Sequence, residues 1–577
     1  MNIIPRNEYP RPNFMRDNWF SLNGIWDFSF DNETYDRQIV VPFAYETKMS
    51  GINETDYHDT VWYKRRFELP HTMHNKQIIL HFGAVDYYCR VWVNDVLVKE
   101  HAGGQTNFFV NISEVVNYSN HNTIRVQVYD DHTDLEMPRG KQFWEEKSRS
   151  IFYTRTTGIW QSVWIEAVSE HRLENVFITP LLDERSVCFE YSFTSKAKLT
   201  LEAQISFQGN YITNFKVDSN VQKGSVTIAL NLPALQAWNF NEDLTWSPEK
   251  PRLFDVTFKV YNGNVTEDVV RSYFGMRKVS IENGMFMLNN RPYYQKLLLD
   301  QGYWPESLMT SPTDEAFISD INLVKEMGFN GVRIHQKVED PRFLYHADVM
   351  GLLVWGEIGS AYTYSREYAS RMYQEWKDAI LRDYNHPCIV VWTPLNESWG
   401  VPDINTNAMQ QGHSNAMLYL TKSLDNTRII IDNDGWEHTC GDLLTIHDYE
   451  SSKKVLGKRY KSIDSILQFT PCGKPMYVSK WEYKKQPIII SECGGIDIHV
   501  DGIEGWGYSV AQTKDDFLQR YHDIISSLME SDLVQGFCYT QLADVEQETN
   551  GLLTYDRIPK IPVAEIRKIN EGVWKEN

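Results

Sequence analysis

The stretch NHPCIVVWTPLNESWG, residues 385–400, joins a short apolar run to a group of polar residues. The run from Cys388 to Trp392 lies between two prolines, which predicts a short strand that is covered on both faces. Glu397 lies at the C-terminal tip of this segment. Parallel α/β architectures place reactive side chains at the C-terminal ends of buried strands, because the loops there vary while the strand holds the residue still. Glu397 is therefore a candidate catalytic residue.

Seven further segments of the C-terminal half have the same character and alternate with helix-compatible stretches. The eight predicted strands are residues 293–299, 329–335, 352–358, 388–397, 428–433, 443–448, 487–492 and 536–542. Eight strands that alternate with helices are typical of a (β/α)₈ barrel. We therefore expect residues 278–577 to form a TIM barrel.

The N-terminal half has a different hydrophobic pattern. Residues 1–168 contain short alternating runs separated by turn residues, a pattern that predicts a β-sandwich. Within it, Asn94 and Asp95 stand between two runs of period two, which predicts a two-residue hairpin. Residues 169–277 continue in β style, at the spacing of a small immunoglobulin-like sandwich. The chain is thus expected to be multidomain, with two β domains before the barrel.

Composition limits the partners and the compartment. The chain has 577 residues, with 57 basic and 77 acidic side chains and a net charge of −20, which repels nucleic acids and anionic membranes and suits a small neutral ligand. Seven cysteines without paired spacing indicate reduced thiols. No signal-peptide pattern or membrane-spanning run is visible, so we expect a cytoplasmic protein.

A second carboxylate has the same kind of position as Glu397. Glu492 ends the predicted seventh strand, where QPIIISECGG turns away at two glycines. Because 95 residues separate the two glutamates (492 − 397), only closure of the barrel brings them together at its mouth, the end where the C-termini of the strands meet. Glycosidic bond cleavage requires such a pair, one to protonate the leaving oxygen and one to attack or to activate water. The alternative is that both are ordinary acids at strand ends, in ion pairs or capping a helix.

Nearly the whole chain resembles glycoside hydrolase family 2, the β-galactosidase, β-glucuronidase and β-mannosidase family. In the N-terminal domain the resemblance to the family's sugar-binding domain rests on LNGIWDFSF, VPFAYE, WYKRRFELP, residues 81–112 and TTGIWQSVWIEAV. In the barrel it rests on MGFNGVRIHQ, MGLLVWGEI, NHPCIVVWTPLNES and QPIIISECGG. This resemblance implies a jelly-roll sandwich, an immunoglobulin-like sandwich and a catalytic barrel.

The resemblance also implies roles for particular residues. Glu397 is the implied acid/base and Glu492 the implied nucleophile of a retaining mechanism, while Asn396 is implied to bind the sugar 2-hydroxyl. Tyr449 resembles the tyrosine that hydrogen-bonds the nucleophile. Other candidate substrate-binding residues at strand ends are Asp300, Arg333, His335, Trp399, His447 and Tyr539. We expect Glu357 to orient Arg333 rather than to bind substrate.

Residues that identify the sugar depart from the better-known members of the family. The family's Arg-x-x-His appears here with His335 one place early, so this histidine either reaches the sugar or packs at the strand end. Phe152 stands near the acidic position of β-galactosidases, and the Asn-x-Lys of β-glucuronidases is absent at Asn550. Arg155 and Lys337 remain cations that can pair with a carboxylate.

The sequence therefore predicts a retaining exo-β-glycosidase, β-galactosidase-like, that acts on an oligosaccharide or another glycoside. A β-glucuronidase or another β-glycosidase of the family is the first alternative. A catalytically inactive carbohydrate-binding protein is the alternative from another class. No metal spacing stands out, so we expect no required cofactor, and a homo-oligomer is compatible with the sequence.

Overall fold

The N-terminal domain is a β-sandwich of two antiparallel sheets in a computed structural model that describes residues 4–236, 238–498 and 505–573. The four-stranded sheet contains Trp19–Ser21, Val163–Val168, Gln77–Phe82 and Phe108–Asn111. The six-stranded sheet contains Arg37–Val41, Gly24–Phe30, Thr60–Phe67, Asn122–Tyr129, Tyr88–Val93 and Val96–Ala102. The predicted hairpin is confirmed, since Val93 pairs with Val96 and both Asn94 and Asp95 have positive φ. Apolar side chains from the two sheets form one buried core.

The second domain is a smaller sandwich with its own apolar core. A three-stranded sheet contains Leu173–Leu181, Ser186–Phe193 and Lys223–Ala229. A four-stranded sheet contains Asn210–Ser219, Leu199–Phe207, Phe254–Asn262 and Val265–Phe274. Apolar residues alternate inward along these strands, as the period-two pattern predicts. The predicted immunoglobulin-like arrangement of two packed sheets is therefore present.

The third domain contains all eight predicted barrel strands, and every pair among them is parallel. In chain order the strands are Gln295–Asp300, Gly331–Ile334, Leu353–Glu357, Ile389–Thr393, Ile429–Ile430, Leu444–Asp448, Ile488–Gly494 and Val534–Thr540. They form one continuous sheet in the order 5-4-3-2-1-8-7-6, so the fifth and sixth strands, although consecutive in the chain, lie at its two ends. This order confirms the TIM-barrel prediction.

Helices surround this sheet. They are Asp314–Glu326, Pro341–Met350, Arg366–Asp383, Ala408–Leu424, Lys453–Arg459, Ile463–Leu467, Lys514–Met529 and Val563–Glu571. The core between the strands and the helices is one large apolar cluster that includes Trp355, Trp376 and Trp392. In the described part of the chain, no helix combines the length and apolarity needed to span a bilayer.

Direct hydrogen bonds hold the N-terminal sandwich against the barrel. Tyr87 donates its hydroxyl proton to buried Glu375 over 2.9 Å, and the other oxygen of that carboxylate accepts the backbone N–H of Gly104 over 2.9 Å. On the loop that follows the third barrel strand, the carbonyl of Ser360 accepts the N–H of Gly140 over 3.0 Å. The sandwich loop that starts near residue 139 is thereby fixed beside the C-terminal ends of the barrel strands.

Candidate active site

The two glutamates meet at the C-terminal mouth of the barrel. One carboxylate oxygen of Glu397 lies within 4.8 Å of one of Glu492. Glu492 is part of the seventh strand, whereas Glu397 stands four residues beyond the fourth strand with a φ of 53°. A left-handed backbone is unfavourable for a glutamate, and here a hydrogen bond of 2.9 Å from the N–H of Glu397 to the carbonyl of Asp434 stabilises it. The turn therefore aims the side chain across the mouth.

Arg333 lies at the centre of a buried network of charges. Its Nε and Nη2 are both 2.9 Å from Oε2 of Glu357, and its Nη1 is 3.0 Å from Oε1 of Glu492. The same Nη1 is 2.6 Å from Asp434, and the Arg333 side chain has no exposed surface. Burial alone would lower the pKa of Arg333, but these three carboxylates raise it far above its usual value. As predicted, Glu357 holds Arg333 in place.

His447 connects the two glutamates. Its Nδ1 is 2.7 Å from Oε1 of Glu397, and its Nε2 is 2.7 Å from Asp434 and 3.5 Å from Glu492. Although burial lowers the pKa of this imidazole, Glu492 and Asp434 outweigh that effect and raise the pKa to about 10. The ring is therefore an imidazolium at neutral pH, with a proton to donate on each side.

The surroundings of Glu492 favour its ionised form. Burial raises the pKa of this carboxyl group, but the positive charges of His447 and Arg333 outweigh burial and hold the pKa below its usual value. The hydroxyl of Tyr449 donates to Oε2 of Glu492 and acts in the same direction. The ring of Tyr449 is itself held by stacking on Tyr508, with centroids 3.3 Å apart. Glu492 is thus an anion presented by a rigid set of donors.

Asn396 has a free donor beside the two glutamates. Its Oδ1 accepts a hydrogen bond of 2.7 Å from Nη2 of Arg333, which fixes the orientation of the amide. Its Nδ2 is buried and has no partner among the described residues. A buried donor without a partner costs free energy unless a ligand or water satisfies it. The amide N–H is therefore available for a ligand hydroxyl.

His335 also lies within this network. Its Nδ1 is 3.1 Å from Oε1 of Glu357, and burial together with the positive charges of Lys141 and Arg333 holds its pKa well below the usual range. It is therefore a neutral imidazole. Asp300 lies at the end of the first strand, where its carboxylate caps the N–H of Gly302 over 2.9 Å.

The prediction that Tyr539 binds substrate is wrong. Its hydroxyl accepts the backbone N–H of Ile496 over 3.3 Å, and its ring lies 5.0 Å from that of Tyr521 on the helix Lys514–Met529. The ring thus points out of the barrel toward the surrounding helices. Because side chains alternate along a strand, its neighbour Thr540 has the inward position instead.

An aromatic group covers the side of the mouth next to Glu397. Trp399 lies 5.5 Å from Tyr362 and 5.7 Å from Phe152, measured between ring centroids. Trp144 completes the group at 4.6 Å from Tyr362. Phe152 and Trp144 come from the sandwich, so two domains build this side of the site.

Several site residues escaped the sequence analysis. Asp434 follows the fifth strand and was open to the same strand-end argument as Glu397. Lys141 and Trp144, in contrast, lie in the sandwich, and Tyr508 lies in the connection after the seventh strand, where no local pattern marks it. Only the fold brings these side chains to the mouth.

Three groups of side chains in the described part of the chain have the spacing of metal ligands, and one of them, Asp59, Asp131 and His132, lies in the sandwich. In the group of Glu397, His447 and Glu492, whose atoms lie within 4.8 Å of one another, both ring nitrogens of His447 are already 2.7 Å from carboxylate oxygens of Glu397 and Asp434. Asp348, His386 and Cys388 form the third group. There Asp348 already accepts hydrogen bonds from the His386 ring, over 2.6 Å, and from the backbone N–H of Cys388, over 2.8 Å.

Known proteins resemble this chain in each of its three domains. Models of glycosyl hydrolases family 2 match residues 21–165, described as the sugar binding domain, residues 171–277, described by the family name alone, and residues 279–574, described as the TIM barrel domain. A β-galactosidase of Thermoanaerobacter pseudethanolicus is 27% identical over 438 residues, which cover 74% of this chain and 56% of that protein. A β-glucuronidase of Streptococcus agalactiae is 24% identical over 421 residues, which cover 66% of each chain.

Solved structures show the same architecture. A β-galacturonidase of Eisenbergiella tayi superposes with a TM-score of 0.77 at 19% identity and covers 98% of both chains. At that identity the likeness concerns the fold. The family models, in contrast, match the sequence of all three domains in the expected order. The chain therefore belongs to glycosyl hydrolases family 2.

Proposed function

We propose that this protein is a retaining β-glycosidase that removes a terminal β-linked sugar. The observation that carries the proposal is the approach of a carboxylate oxygen of Glu397 to one of Glu492 within 4.8 Å. Retaining enzymes separate their two carboxyl groups by about 5 to 5.5 Å, whereas inverting enzymes leave roughly 6.5 to 9.5 Å for a water molecule. The close pair favours direct attack by one carboxylate.

The different surroundings of the two glutamates support a division of roles. Glu492 is stabilised as an anion by Arg333, His447 and the hydroxyl of Tyr449, so it is the nucleophile that attacks the anomeric carbon. Glu397 projects from the turn after the fourth strand and donates a proton to the leaving oxygen. The Nδ2 of Asn396 binds the sugar 2-hydroxyl in this arrangement, and the contact strengthens in the transition state.

The second half-reaction reverses the role of Glu397. Once Glu492 is esterified by the sugar, Glu397 accepts a proton from water, which then attacks the glycosyl-enzyme. His447 lies 2.7 Å from Glu397 and orients this carboxyl group for both steps. Two inversions at the anomeric carbon retain its β configuration.

The leaving group lies against the aromatic side of the mouth. Trp399 follows Glu397 by two residues and, with Phe152 and Tyr362, offers apolar faces beside the proton donor. Such faces stack on the C–H surface of a second sugar or on an aromatic aglycone.

Location and assembly remain part of the proposal. All seven cysteines are unpaired, which supports a reducing, cytoplasmic compartment. The matched relatives carry the names β-galactosidase and β-glucuronidase. A β-galactosidase-like activity and a glucuronidase-like activity are therefore both candidates, and homo-oligomerisation stays a prediction.

A panel of nitrophenyl β-glycosides tests the proposal. We expect steady release of nitrophenol from at least one β-glycoside, and a product that retains the β configuration when hydrolysis is followed by proton NMR. Turnover of none of the sugars, with sugar binding preserved in calorimetry, would instead favour the catalytically inactive binding protein. An α-configured first product would contradict the retaining mechanism.

A further inference from the structure

A lysine of the N-terminal sandwich reaches into the barrel mouth. Lys141 follows Gly140, which has a positive φ of 61° and lies so close to the second strand's loop that a side chain there would collide with the carbonyl of Gln336. On the other side, the carbonyl of Lys141 accepts the N–H of Tyr153 over 2.9 Å. Contacts on both sides thus fix the backbone of Lys141.

The side chain of Lys141 is largely buried, and its ammonium group makes no hydrogen bond within the described part of the chain. The residue is 6% exposed, and its Nζ donates to none of the residues that the structure describes. Its nearest carboxylate, Glu548, is 3.9 Å away, which is too far for a hydrogen bond. That carboxylate is already engaged by the hydroxyl of Tyr153 and by the amide of Asn550, 3.1 Å away. Nζ also lies over the ring of Tyr153, 5.6 Å from the ring centroid, but no oxygen or nitrogen acceptor of the described residues takes its three N–H groups, which are left for a ligand.

Lys141 lies on the side of the barrel mouth that is opposite the leaving group. Its positive charge is close enough to His335, after the second strand, to lower the pKa of that imidazole. Glu548 lies in the loop after the eighth strand. Lys141 is therefore on the side of the mouth formed by strands eight, one and two. The leaving group lies on the opposite side, at the fourth strand, beside Trp399.

The other cations that the sequence offered for a carboxylate are already satisfied. Nη2 of Arg155 donates to the carbonyls of Thr55 and Asp56, each over 2.7 Å. Nζ of Lys337 donates to two backbone carbonyls and to Glu339, over 2.8 to 2.9 Å. Of Arg155, Lys337 and Lys141, only Lys141 has N–H donors that no described residue uses.

We propose that Lys141 binds the carboxylate of a terminal uronic acid, so that the preferred substrates are β-linked uronosides. The inference rests on the proposed glycosidase function and assigns the sugar class to the same site. In a uronic acid a carboxylate replaces the hydroxymethyl group, which lies across the ring from the 2-hydroxyl that Asn396 binds. The cation for this group then comes from the sandwich rather than from the barrel loop around Asn550. A compact ammonium on a fixed backbone suits this role.

The test compares uronosides with their neutral counterparts. Nitrophenyl β-glucuronide and β-galacturonide are measured against β-glucoside and β-galactoside, for the wild type and for Lys141→Met. We expect at least one uronoside to exceed its neutral counterpart in kcat/KM. Loss of a hydrogen bond to a charged group corresponds to about 10- to 150-fold, which we expect Lys141→Met to remove from the uronoside alone. Lys141→Arg should recover part of the loss.

Lys147 provides a matched control, because it is an exposed lysine of the same loop. Lys147→Met should leave both substrates unchanged. Equal loss on uronoside and neutral glycoside in Lys141→Met would overturn the proposal, since a lysine that only supports the Tyr153 ring affects both alike. Preference for the neutral sugar in the wild type would overturn it as well.

Binding of free sugars separates this inference from the glycosidase function itself. In calorimetry, glucuronic or galacturonic acid should bind the wild type more tightly than glucose or galactose, and Lys141→Met should abolish the difference. Cleavage of neutral glycosides with no binding of either acid would refute the role of Lys141 and leave the glycosidase intact. Tight, Lys141-dependent binding of an acid without hydrolysis of any substrate would support the role of Lys141 and refute the glycosidase function.

Discussion

The barrel mouth and the core of the immunoglobulin-like domain are both buried, but the first consists of charged side chains and the second of apolar ones. At the mouth, Arg333, Glu357 and Asp434 have no exposed side-chain surface. In the immunoglobulin-like core, Phe189 meets Phe258 and Phe274 edge-on at 5.8 and 6.1 Å. Buried ion pairs pay a large desolvation cost and contribute little net stability, whereas apolar contacts contribute about 2 to 5 kcal/mol per large side chain. Charge interactions therefore position the side chains of the mouth, whereas apolar cores elsewhere supply the stability of the fold.

The largest effect is expected at the nucleophile. Glu492→Gly should reduce activity at least about 10,000-fold, because it leaves no covalent route, while the thermal midpoint changes little. The measurement is kcat on a dinitrophenyl glycoside, with calorimetry for the fold. A fluorinated substrate analogue should label Glu492 in the parent enzyme, and a label mapped to another residue would contradict the assignment.

Glu397→Ala should affect two substrate classes unequally. A sugar leaving group needs protonation, so its cleavage should fall about 100- to 10,000-fold, whereas dinitrophenolate departs unaided and should show a burst followed by slow turnover. Azide needs no deprotonation and should restore turnover with a β-glycosyl azide as product. Equal loss on both classes, or an α-azide, would refute the role of Glu397.

Paired substitutions in the two regions sharpen the comparison. Arg333→Met leaves three carboxylates unneutralised and should cost about 3 to 5 kcal/mol of stability together with most of the activity. Phe258→Ala, in the immunoglobulin-like core, should cost a similar 3 to 5 kcal/mol but leave the activity per folded molecule unchanged. Denaturant unfolding and kcat on the same samples provide both values. An inactive but folded Phe258→Ala would mean that the two regions are coupled.

A pH dependence of stability, rather than a loss of activity, is expected from His447. Its pKa of about 10 in the folded protein exceeds the usual 6.5, so its stabilisation is complete below about pH 6.5 and is lost as the pH rises through about 10. The slope is at most about 1.4 kcal/mol per pH unit. The difference in unfolding free energy between the wild type and His447→Gln should therefore shrink from pH 6 to pH 10. A constant difference would show that His447 is not an imidazolium in the folded state.

Much of the fold follows from local patterns in the sequence. All eight barrel strands and the Asn94–Asp95 hairpin were predictable, because hydrophobic period and turn chemistry act over a few residues. Tyr539 shows the limit of this reasoning. A shift of one residue along a strand reverses the direction of a side chain, and no local signal distinguishes an inward from an outward aromatic residue in a strand buried on both faces.

The sequence by itself determined the order of the three domains and placed Glu397 and Glu492 at strand ends, since both depend on short-range patterns and a strand count. Only the tertiary structure decided how these carboxylates differ. The proton on His447, the charges around Arg333 and the position of the Lys141 ammonium group depend on side chains that are remote from one another in the chain. Electrostatic effects depend on distance and burial in space, and barrel closure and domain docking set both.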